Sequence, residues 1–445
     1  MILAQALGVS YDELISLKLT KDLDYLSTIL KTNIIGGMPF DIFGIPAQTI
    51  FQLMAEHPQK FGALVGTVLE MARTHDMKVE DFFFATLKSY LDMNQNYFPN
   101  VEQKVIQFRE KSKLSKEEHL RQFLTSTTLI NFLTVHYKYK IHLQDFSDYP
   151  EELHHHFFFI SPTDFKKFFL NANLSEREKV FILVKEIGYN ALNLKERLLS
   201  SRTYRIDSYA KVHHNFLASY FAGALIIPKD SFVKGIKTFI KLKNWDNQLF
   251  LRLVTGYRGT IESYFHRLSQ VLPTFLKMKD LFLLKFHFNT QNRSFYLDKE
   301  LHLSKLHDPH EVKSNEHYCR RWITFTLIEK LLSTKKDIVA GSQRSSFYGK
   351  GNEYLCLSVA WHSELDPNIK ICMTIGILLH HRTEMNVNFL SDPRIPRRQV
   401  GDICEKCGVH DCRERMSTPY QLYEKNKEEK AQDAMETAIQ SVMKN

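Results

Sequence analysis

The spacing of apolar residues changes near residue 279 of this 445-residue chain. From about Asp22 to Lys111, apolar residues recur at the three- and four-residue spacing of a helix face. Residues 114–242 mix helical and strand-like patterns, and beyond 279 short strand-like runs follow one another, with a helix near Trp322–Leu332 among them. This division predicts an α+β fold of several domains. The predicted strands are Phe282–Phe288, Arg293–Leu303, Asp337–Ser346, Glu353–Ala360 and Ile369–Leu379.

Length and charge limit the classes of function. A chain of 445 residues corresponds to two to four domains of roughly 100–200 residues each. Its net charge of +9 favours an anionic partner, and nucleic acid, an acidic lipid surface and a phosphorylated cofactor all remain compatible with it. No apolar run approaches the roughly 20 residues that span a bilayer, and no signal-peptide pattern opens the chain. We therefore expect a cytoplasmic protein without a membrane partner.

The first twenty residues carry a helix-end pattern. Gly8 stands where a helix C-terminal cap would fall, and Ser10 with Glu13 forms a capping box that opens the next helix. The stretch ALGVSYDEL resembles the end of the helix-turn-helix domain of XRE-family regulators. The resemblance implies that residues 1–20 are a remnant of a DNA-binding domain whose base-reading helix would precede Met1. An ordinary helical hairpin is an equal alternative. Residues 21–113 are interpreted as a helical linker or dimerisation region.

A second capping box, Ser175 with Glu178, opens a helix that carries Lys185, Glu186 and Tyr189. In a zinc peptidase these three positions would read His, Glu and His, so that two imidazoles hold the metal and the glutamate acts as general base. Both imidazoles are missing here. Upstream, the runs 135–143 and 154–160 are predicted as strands, and three adjacent histidines on a strand could not all bind one ion.

The run Phe216–Pro228 resembles the second conserved helix of the ImmA/IrrE peptidase-like family. That resemblance assigns residues 114–242 to a zincin-like domain and places Leu217 at the third metal-ligand position. Since leucine cannot bind a metal, the resemblance implies a degenerate domain without peptidase activity. Glu186 and Tyr189 would then line the former active-site cleft and contact a ligand.

Three cysteines form the pattern C-x2-C-x4-C at Cys404, Cys407 and Cys412. Two thiolates three positions apart on a turn can bind one ion, and the third follows closely enough to join them. Cys319 or His410 could supply the fourth ligand. Thiolates suit both zinc and an iron–sulfur cluster, and the spacing does not separate the two. The alternative is a set of reduced, packed cysteines.

Two segments carry a resemblance to the C-terminal domain of the short-chain fatty acyl transcriptional regulators. One reads EHYCRRW over residues 316–322, and the other runs from Asp392 to Arg415 and contains the three cysteines. The resemblance implies that residues 243–419 form a strand-rich acyl-regulator domain, that the effector is a short-chain acyl-CoA, and that an iron–sulfur cluster accompanies it. Residues 420–445 are predicted as a charged helical tail.

Arg320, Arg321 and Trp322 are candidate ligand-binding residues. Guanidinium groups can bind the phosphates of coenzyme A, and an indole can stack on adenine. Arg394, Arg397 and Arg398 could share the phosphate role. Equally, Arg320 and Arg321 could cap a helix or form surface ion pairs.

Taken together, these resemblances imply the effector region of a non-catalytic, homodimeric transcriptional regulator that binds acyl-CoA and acts on DNA through helix-turn-helix residues largely upstream of Met1. Two alternatives come from other classes. One is an ImmA/IrrE-type metallopeptidase that cleaves a repressor, and the other is an interaction scaffold without a small ligand.

Overall fold

The computed structural model describes residues 43–57, 60–61, 63–67, 70, 79–201, 206–303 and 316–443. The described residues divide into two compact units: those within 1–94, 130–172 and 185–222 form the first, and those within 95–129, 173–184 and 223–445 form the second. Helices and two separate sheets are present, which confirms the α+β prediction. The expected helix-turn-helix remnant at residues 1–20 lies outside the described residues.

The first half of the chain is mainly helical. Its helices are α1 (Ala47–Glu56), α2 (Val79–Met93), α3 (Pro99–Lys111), α4 (Glu117–Phe123), α5 (Ser126–Tyr137), α6 (Glu151–His154), α7 (Glu176–Ala191), α8 (Tyr209–Ile226), α9 (Lys229–Ile240), α10 (Asn247–Thr255) and α11 (Ile261–Phe275). The predicted capping box opens α7 as expected, since the Ser175 hydroxyl and the Glu178 backbone N–H lie 3.3 Å apart and Glu178 accepts a hydrogen bond from the Ser175 N–H at 3.0 Å.

The first unit contains a three-stranded sheet in the order β1-β3-β2, formed by β1 (Lys140–Gln144), β2 (Phe158–Ile160) and β3 (Lys167–Asn171). β1 runs parallel to β3, whereas β2 runs antiparallel to it. Phenylalanine rings stack across the β2–β3 pair, with Phe158 on Phe168 at 5.2 Å and Phe159 on Phe169 at 4.7 Å. These aromatic cross-strand pairs stabilise a sheet whose strands are short.

Two predicted strands of this region are partly wrong. Residues 135–137 belong to α5, because the helix continues to Tyr137 and Lys138 then takes a left-handed conformation (φ 62°) that ends it. Strand β1 begins only at Lys140. Similarly, residue 154 ends α6, and the strand there covers Phe158–Ile160 alone. In both places, the last residues of a helix and a short strand that follows together show the alternation of apolar and polar residues expected of one longer strand.

The second unit contains a six-stranded sheet in the order β5-β4-β8-β7-β6-β9. Its neighbours are antiparallel except for the parallel pair β6–β9. The five predicted strands are confirmed to within two residues at each end, and only the short edge strand β9 was not predicted. The strands are β4 (Leu281–Asn289), β5 (Ser294–His302), β6 (Ile338–Phe347), β7 (Glu353–His362), β8 (Ile369–Leu378) and β9 (Arg397–Val400).

Helix α12 (Ile323–Ser333) packs on this sheet and closes its hydrophobic core. Leu331 and Ile328 are fully buried, and Phe286 of β4 contacts Trp322 and Phe325 with ring centroids about 6 Å apart. The predicted helix near Trp322–Leu332 is therefore confirmed, with Trp322 as its N-cap residue. Beyond the sheet lie α13 (His381–Asn386) and the tail helix α14 (Tyr420–Met443), whose described side chains are mostly exposed.

In the described part of the chain, each individual helix is too short or too polar to span a bilayer. The pair α8 and α9 reaches them only when taken together, with a bend of 70° between the two helices.

Candidate functional site

The two C-terminal motifs, far apart in the sequence, pair with each other in the second unit. Tyr318 forms an antiparallel bridge with Ile403, the Cys319 N–H donates to the Asp402 carbonyl at 3.1 Å, and the Cys404 N–H donates to the His317 carbonyl at 2.8 Å. Backbone pairing of this kind fixes both segments without depending on any one side chain. It brings Cys319 to the loop that carries the other three cysteines.

Two side chains anchor this pairing from either side. Trp322 is 6% exposed within the sheet core, and its indole N–H donates to the Gly401 carbonyl at 2.8 Å. The buried carboxylate of Glu405 receives the backbone N–H of His317 at 3.0 Å and lies 2.9 Å from its Nδ1. The indole thus packs within the protein, and its predicted stacking on an adenine stays a prediction.

Four cysteines line one small cavity at this junction: Cys319, Cys404, Cys407 and Cys412. The first three are buried and Cys412 is partly exposed, whereas His410 is exposed. Of the two residues considered for the fourth ligand position, the fold therefore places Cys319 beside the other thiols. The cavity between these side chains has a volume of about 10 Å³, close to the smallest volume that holds one water molecule.

Backbone groups surround the sulfur atoms of this thiol cavity. The N–H of Gly401 donates to Cys319 Sγ at 3.3 Å, and the N–H of Met416 donates to Cys404 Sγ at 3.4 Å. A Cβ atom on residue 401 would stand 2.9 Å from Cys407 Sγ, so only glycine allows this close approach. Such N–H contacts to sulfur tune metal–thiolate centres where a metal is bound.

Arg415 holds the cysteine loop in shape. Its guanidinium donates to the carbonyls of Cys404 at 3.2 Å, Cys407 at 3.1 Å and Val409. One planar cation thus binds three carbonyl groups of the loop, and the Cys404 carbonyl also accepts the Cys407 N–H at 3.2 Å.

The chemistry of the donors suits a metal, whereas their present arrangement does not enclose one. Burial raises the pKa of Cys319 to about 11 and also raises the pKa of Cys404, so both are thiols at neutral pH. Binding a metal would release these protons. Within the part of the chain that the structure describes, no three His, Cys, Asp or Glu side chains are arranged to hold a metal ion.

Arginines border the thiol cavity. The Arg320 guanidinium carbon lies 4.5 Å from the ring centroid of Phe295 and 4.8 Å from that of Phe325, and burial lowers the pKa of Arg320. The two rings contact each other edge to face with centroids 4.6 Å apart, so the guanidinium packs beside this aromatic pair. Hydrogen bonds to phosphate would use the N–H edge of the guanidinium. Arg321 Nε lies 3.7 Å from Glu414, which Arg398 also approaches at 3.5 Å.

The remaining predicted arginines are placed differently. Arg394 is paired with Asp392 at 2.7 Å, and Arg397 is exposed on the edge strand β9. Their predicted share in phosphate binding therefore stays a prediction, and Arg320 and Arg321 are the ones that line the thiol cavity together with Arg415.

The positions predicted as remnants of a peptidase site lie in the first unit, on α7 and α8. Glu186 is 2% exposed, and its carboxylate receives hydrogen bonds from Arg197 and from the Tyr139 hydroxyl at 3.0 Å. The guanidinium carbon of Arg197 lies over the Tyr189 ring, 4.5 Å from the ring centroid. Burial is the main cause that raises the pKa of Tyr139, to about 12. The hydroxyl therefore stays protonated at neutral pH and donates a hydrogen bond to the Glu186 carboxylate.

Lys185 on α7 and Leu217 on α8, two of the three positions predicted as former metal-ligand positions, have other contacts. Lys185 Nζ donates to Asn215 Oδ1 at 2.5 Å, and Leu217 is partly buried. The helices approach closely here, since a Cβ atom on Gly188 would stand 3.0 Å from the Ala218 carbonyl oxygen. Arg197 and Tyr139 were not predicted as members of this cluster, because nothing in their local sequence marks them as partners of Glu186.

The adjacent histidines of the first unit do not form a shared site. His154 Nε2 lies 2.7 Å from the Tyr149 carbonyl, and His156 is 2% exposed. This mixture of local contact and core packing agrees with the interpretation against a histidine metal site.

Comparison with known proteins supports the fold alone. No family model and no curated protein matches the chain. A solved structure described as a Mycobacterium tuberculosis transcriptional regulator is similar in fold, with a TM-score of 0.51 and 14% sequence identity over 75% of this chain and 94% of that chain. The chain thus shares the coarse fold of a transcriptional regulator. The XRE, ImmA/IrrE and acyl-regulator resemblances stay predictions.

Proposed function

We propose that this chain is the effector-sensing region of a transcriptional regulator, with a short-chain acyl-CoA or a related phosphorylated metabolite as effector. The observation that carries the proposal is the fold likeness to the mycobacterial transcriptional regulator, which extends over three quarters of the chain. The motif pairing adds to it, because Arg320 and Arg321 lie together at the thiol cavity, where they could receive an anionic ligand. Effector binding would shift a conformational equilibrium that DNA-binding residues report.

The contacts of Glu186 favour this function over peptidase activity. A general base must be able to take a proton from water, but the Glu186 carboxylate is buried against Arg197. Lys185 and Leu217 stand at two of the positions where a zinc peptidase would place metal ligands, and Tyr189 stands at the third. The domain is therefore proposed to serve as a structural frame without turnover.

We further propose that the four cysteines of the thiol cavity hold zinc or an iron–sulfur cluster. Thiolate ligands suit both, and a structural metal would lock the loop at residues 401–415 onto residues 317–322.

Metal analysis and a visible spectrum after anaerobic purification test the thiol proposal. We expect about one zinc per chain, or the absorption of an iron–sulfur cluster, and its loss in the variant C404S/C407S/C412S. The variant C356S/C372S is the matched control, because these cysteines are buried in β7 and β8 and do not line the thiol cavity. A colourless wild-type protein without metal would contradict the proposal. Stoichiometric zinc that persists in the triple variant would instead favour a peptidase-type site.

Thermal unfolding with acetyl-CoA, propionyl-CoA and free coenzyme A tests the effector. A ligand that binds only the folded state stabilises it by about 2.7 kcal/mol at a concentration of 100 Kd, so we expect a clear rise in Tm with at least one acyl-CoA. No rise with any of them would favour the scaffold alternative.

A further inference from the structure

Helix α9 has two chemically distinct faces in the second unit. Phe232, Ile236 and Phe239 are buried, whereas Lys234 and Lys237 are exposed on the opposite face, and Lys241 continues that face just past the helix end. The spacing of the buried residues is that of one helix face packed on a core. The lysines therefore lie on a face that the unit itself leaves in solvent.

An open groove of about 700 Å³ runs along this lysine face. Lys229, at its start, is 3.8 Å from Asp230 and lies over the Phe275 ring at 5.4 Å. Within the described part of the chain, Lys234, Lys237 and Lys241 form no ion pair, so the lining carries a net positive charge. The groove is lined by Lys229, Asp230, Val233, Lys234, Lys237, Thr238, Lys241 and Phe275.

We propose that this groove binds the phosphate backbone of duplex DNA without reading its sequence. At a rise of about 1.5 Å per residue, Lys234, Lys237 and Lys241 span roughly 10 Å along the helix axis. A DNA strand places one phosphate per about 3.4 Å of its axis, so three successive lysines run beside about three phosphates. The resulting contact would position DNA in a sequence-independent way.

The groove suits a polymer better than a small ligand or a membrane. Sites for small molecules enclose most of the ligand in a largely apolar cleft, whereas this groove is open and lined by lysines. Lysine acts as a point charge and does not orient a single phosphate as a bidentate arginine does. Since the apolar side chains of α9 are buried, the helix has no apolar face to insert into a lipid surface. The inference goes beyond the proposed effector function and does not depend on acyl-CoA.

Salt-dependent DNA binding tests the inference. The wild-type chain and the variant K234Q/K237Q/K241Q are titrated onto a fluorescein-labelled 20-bp duplex of arbitrary sequence at 50–200 mM NaCl. The slope of log K against log[salt] is negative, and each lost phosphate contact makes it shallower by about 0.9. For three lost contacts we expect a slope shallower by roughly 2.7 and an affinity at 50 mM salt that is at least tenfold weaker. The control K425Q/K427Q/K430Q removes the same charge from the exposed helix α14 and should bind within twofold of wild type.

A second measurement uses the unmodified protein. Bound duplex should protect Lys234, Lys237 and Lys241 from acetylation, measured by mass spectrometry, while Lys427 on α14 stays reactive. Equal acetylation with and without DNA would overturn the inference. So would an unchanged salt slope in the α9 variant or an equal loss of affinity in the α14 control.

Discussion

Arg197 donates a hydrogen bond to the carboxylate of Glu186, and both side chains are buried. Glu186 stands at the position predicted as the former general base of a zinc peptidase. The Tyr139 hydroxyl also donates to the same carboxylate, and Tyr189 packs against the guanidinium. A position predicted to line a ligand cleft therefore lies in a buried polar cluster, and we expect it to contribute to stability.

Replacing Arg197 by methionine should destabilise the first unit strongly. The change removes the only cation bonded to Glu186 among the described residues and leaves a buried carboxylate without its charge partner. Such a loss costs about 3–5 kcal/mol of unfolding free energy. Urea unfolding followed by circular dichroism at 222 nm measures it.

Two companion variants make this result specific. Adding Glu186→Gln to Arg197→Met should restore part of the lost stability, because the double variant buries no unpaired charge. Arg121→Met breaks an exposed pair with Glu117 and should cost less than about 1 kcal/mol. Equal losses in the Arg197 and Arg121 variants would contradict a stabilising role for the buried pair.

The sequence identified the helix of Glu186 but not the partners of Glu186. The Ser175–Glu178 capping box and the helical period are local, so α7 could be predicted from neighbouring residues alone. Arg197 and Tyr139 reach the carboxylate through the tertiary fold, for which no local pattern exists. The same distinction explains why the start of β1 was predicted too early. The alternation from residue 135 suggested a strand, whereas residues up to Tyr137 belong to a helix that ends at Lys138.

Gly376 and Gly223 should respond oppositely to alanine. A Cβ atom on Gly376 would stand 2.2 Å from the ring of Phe282, which is 3% exposed and packed in the sheet core, so Gly376→Ala should cost about 1–3 kcal/mol. Gly223 lies inside α8 with no atom within 4 Å of the added Cβ, so Gly223→Ala should stabilise by about 0.5–1 kcal/mol.

Tryptophan fluorescence during urea unfolding measures both changes. Trp245, Trp322 and Trp361 all lie in the second unit, as do the two glycines. A Gly376→Ala variant with the unfolding free energy of wild type would show that the Phe282 ring can move aside, contrary to the packing described.

A partly buried charge cluster between α11 and the β4–β5 hairpin should make stability fall in acid. Lys285 Nζ lies 2.9 Å from both Glu262 and Asp298. Burial alone would raise the pKa of Glu262, but Lys285 and Lys299 outweigh burial and hold that pKa well below its ordinary value, and the pKa of Asp298 is lowered in the same way.

The direction of the pH effect follows from these lowered pKa values. Two carboxyls with lower pKa values in the folded state stabilise it above their unfolded pKa values of about 4, and that stabilisation disappears as the pH falls through the folded values. His287 adds a separate loss, since burial lowers its pKa to about 4 and the folded state therefore loses stability between roughly pH 6.5 and 4.

Unfolding free energies at pH 7, 5, 4 and 3 test the charge cluster. Lys285→Met should lower stability at pH 7 by about 2–4 kcal/mol and flatten the decline below pH 4, because both carboxyls lose their shared cation. Lys299→Met, whose ammonium is half exposed, should cost less than about 1 kcal/mol at pH 7. An undiminished acid decline in the Lys285 variant would mean that other groups cause it.

The strands of the second unit were predictable because their alternation and apolar runs are local signals. The thiol cavity was predictable only in its components: the loop spacing indicated Cys404, Cys407 and Cys412, and Cys319 was one of two candidates for the fourth ligand. Their convergence depends on backbone pairing between Tyr318 and Ile403, which no spacing in the sequence specifies. Strand β9 escaped prediction because RRQV is too short and too charged to show a pattern.

Calorimetric titration of a short-chain acyl-CoA onto the wild-type chain and onto R320Q/R321Q tests the central claim most directly. We expect saturable binding to wild type and at least a tenfold loss in the double variant, since a hydrogen bond to a charged group contributes about 1.5–3 kcal/mol. The control R252Q/R413Q alters two exposed arginines that were not predicted to contact the ligand, and it should bind within twofold of wild type. The absence of binding to wild type by every short-chain acyl-CoA would contradict the proposed effector, and equal binding by wild type and R320Q/R321Q would contradict its placement at these arginines.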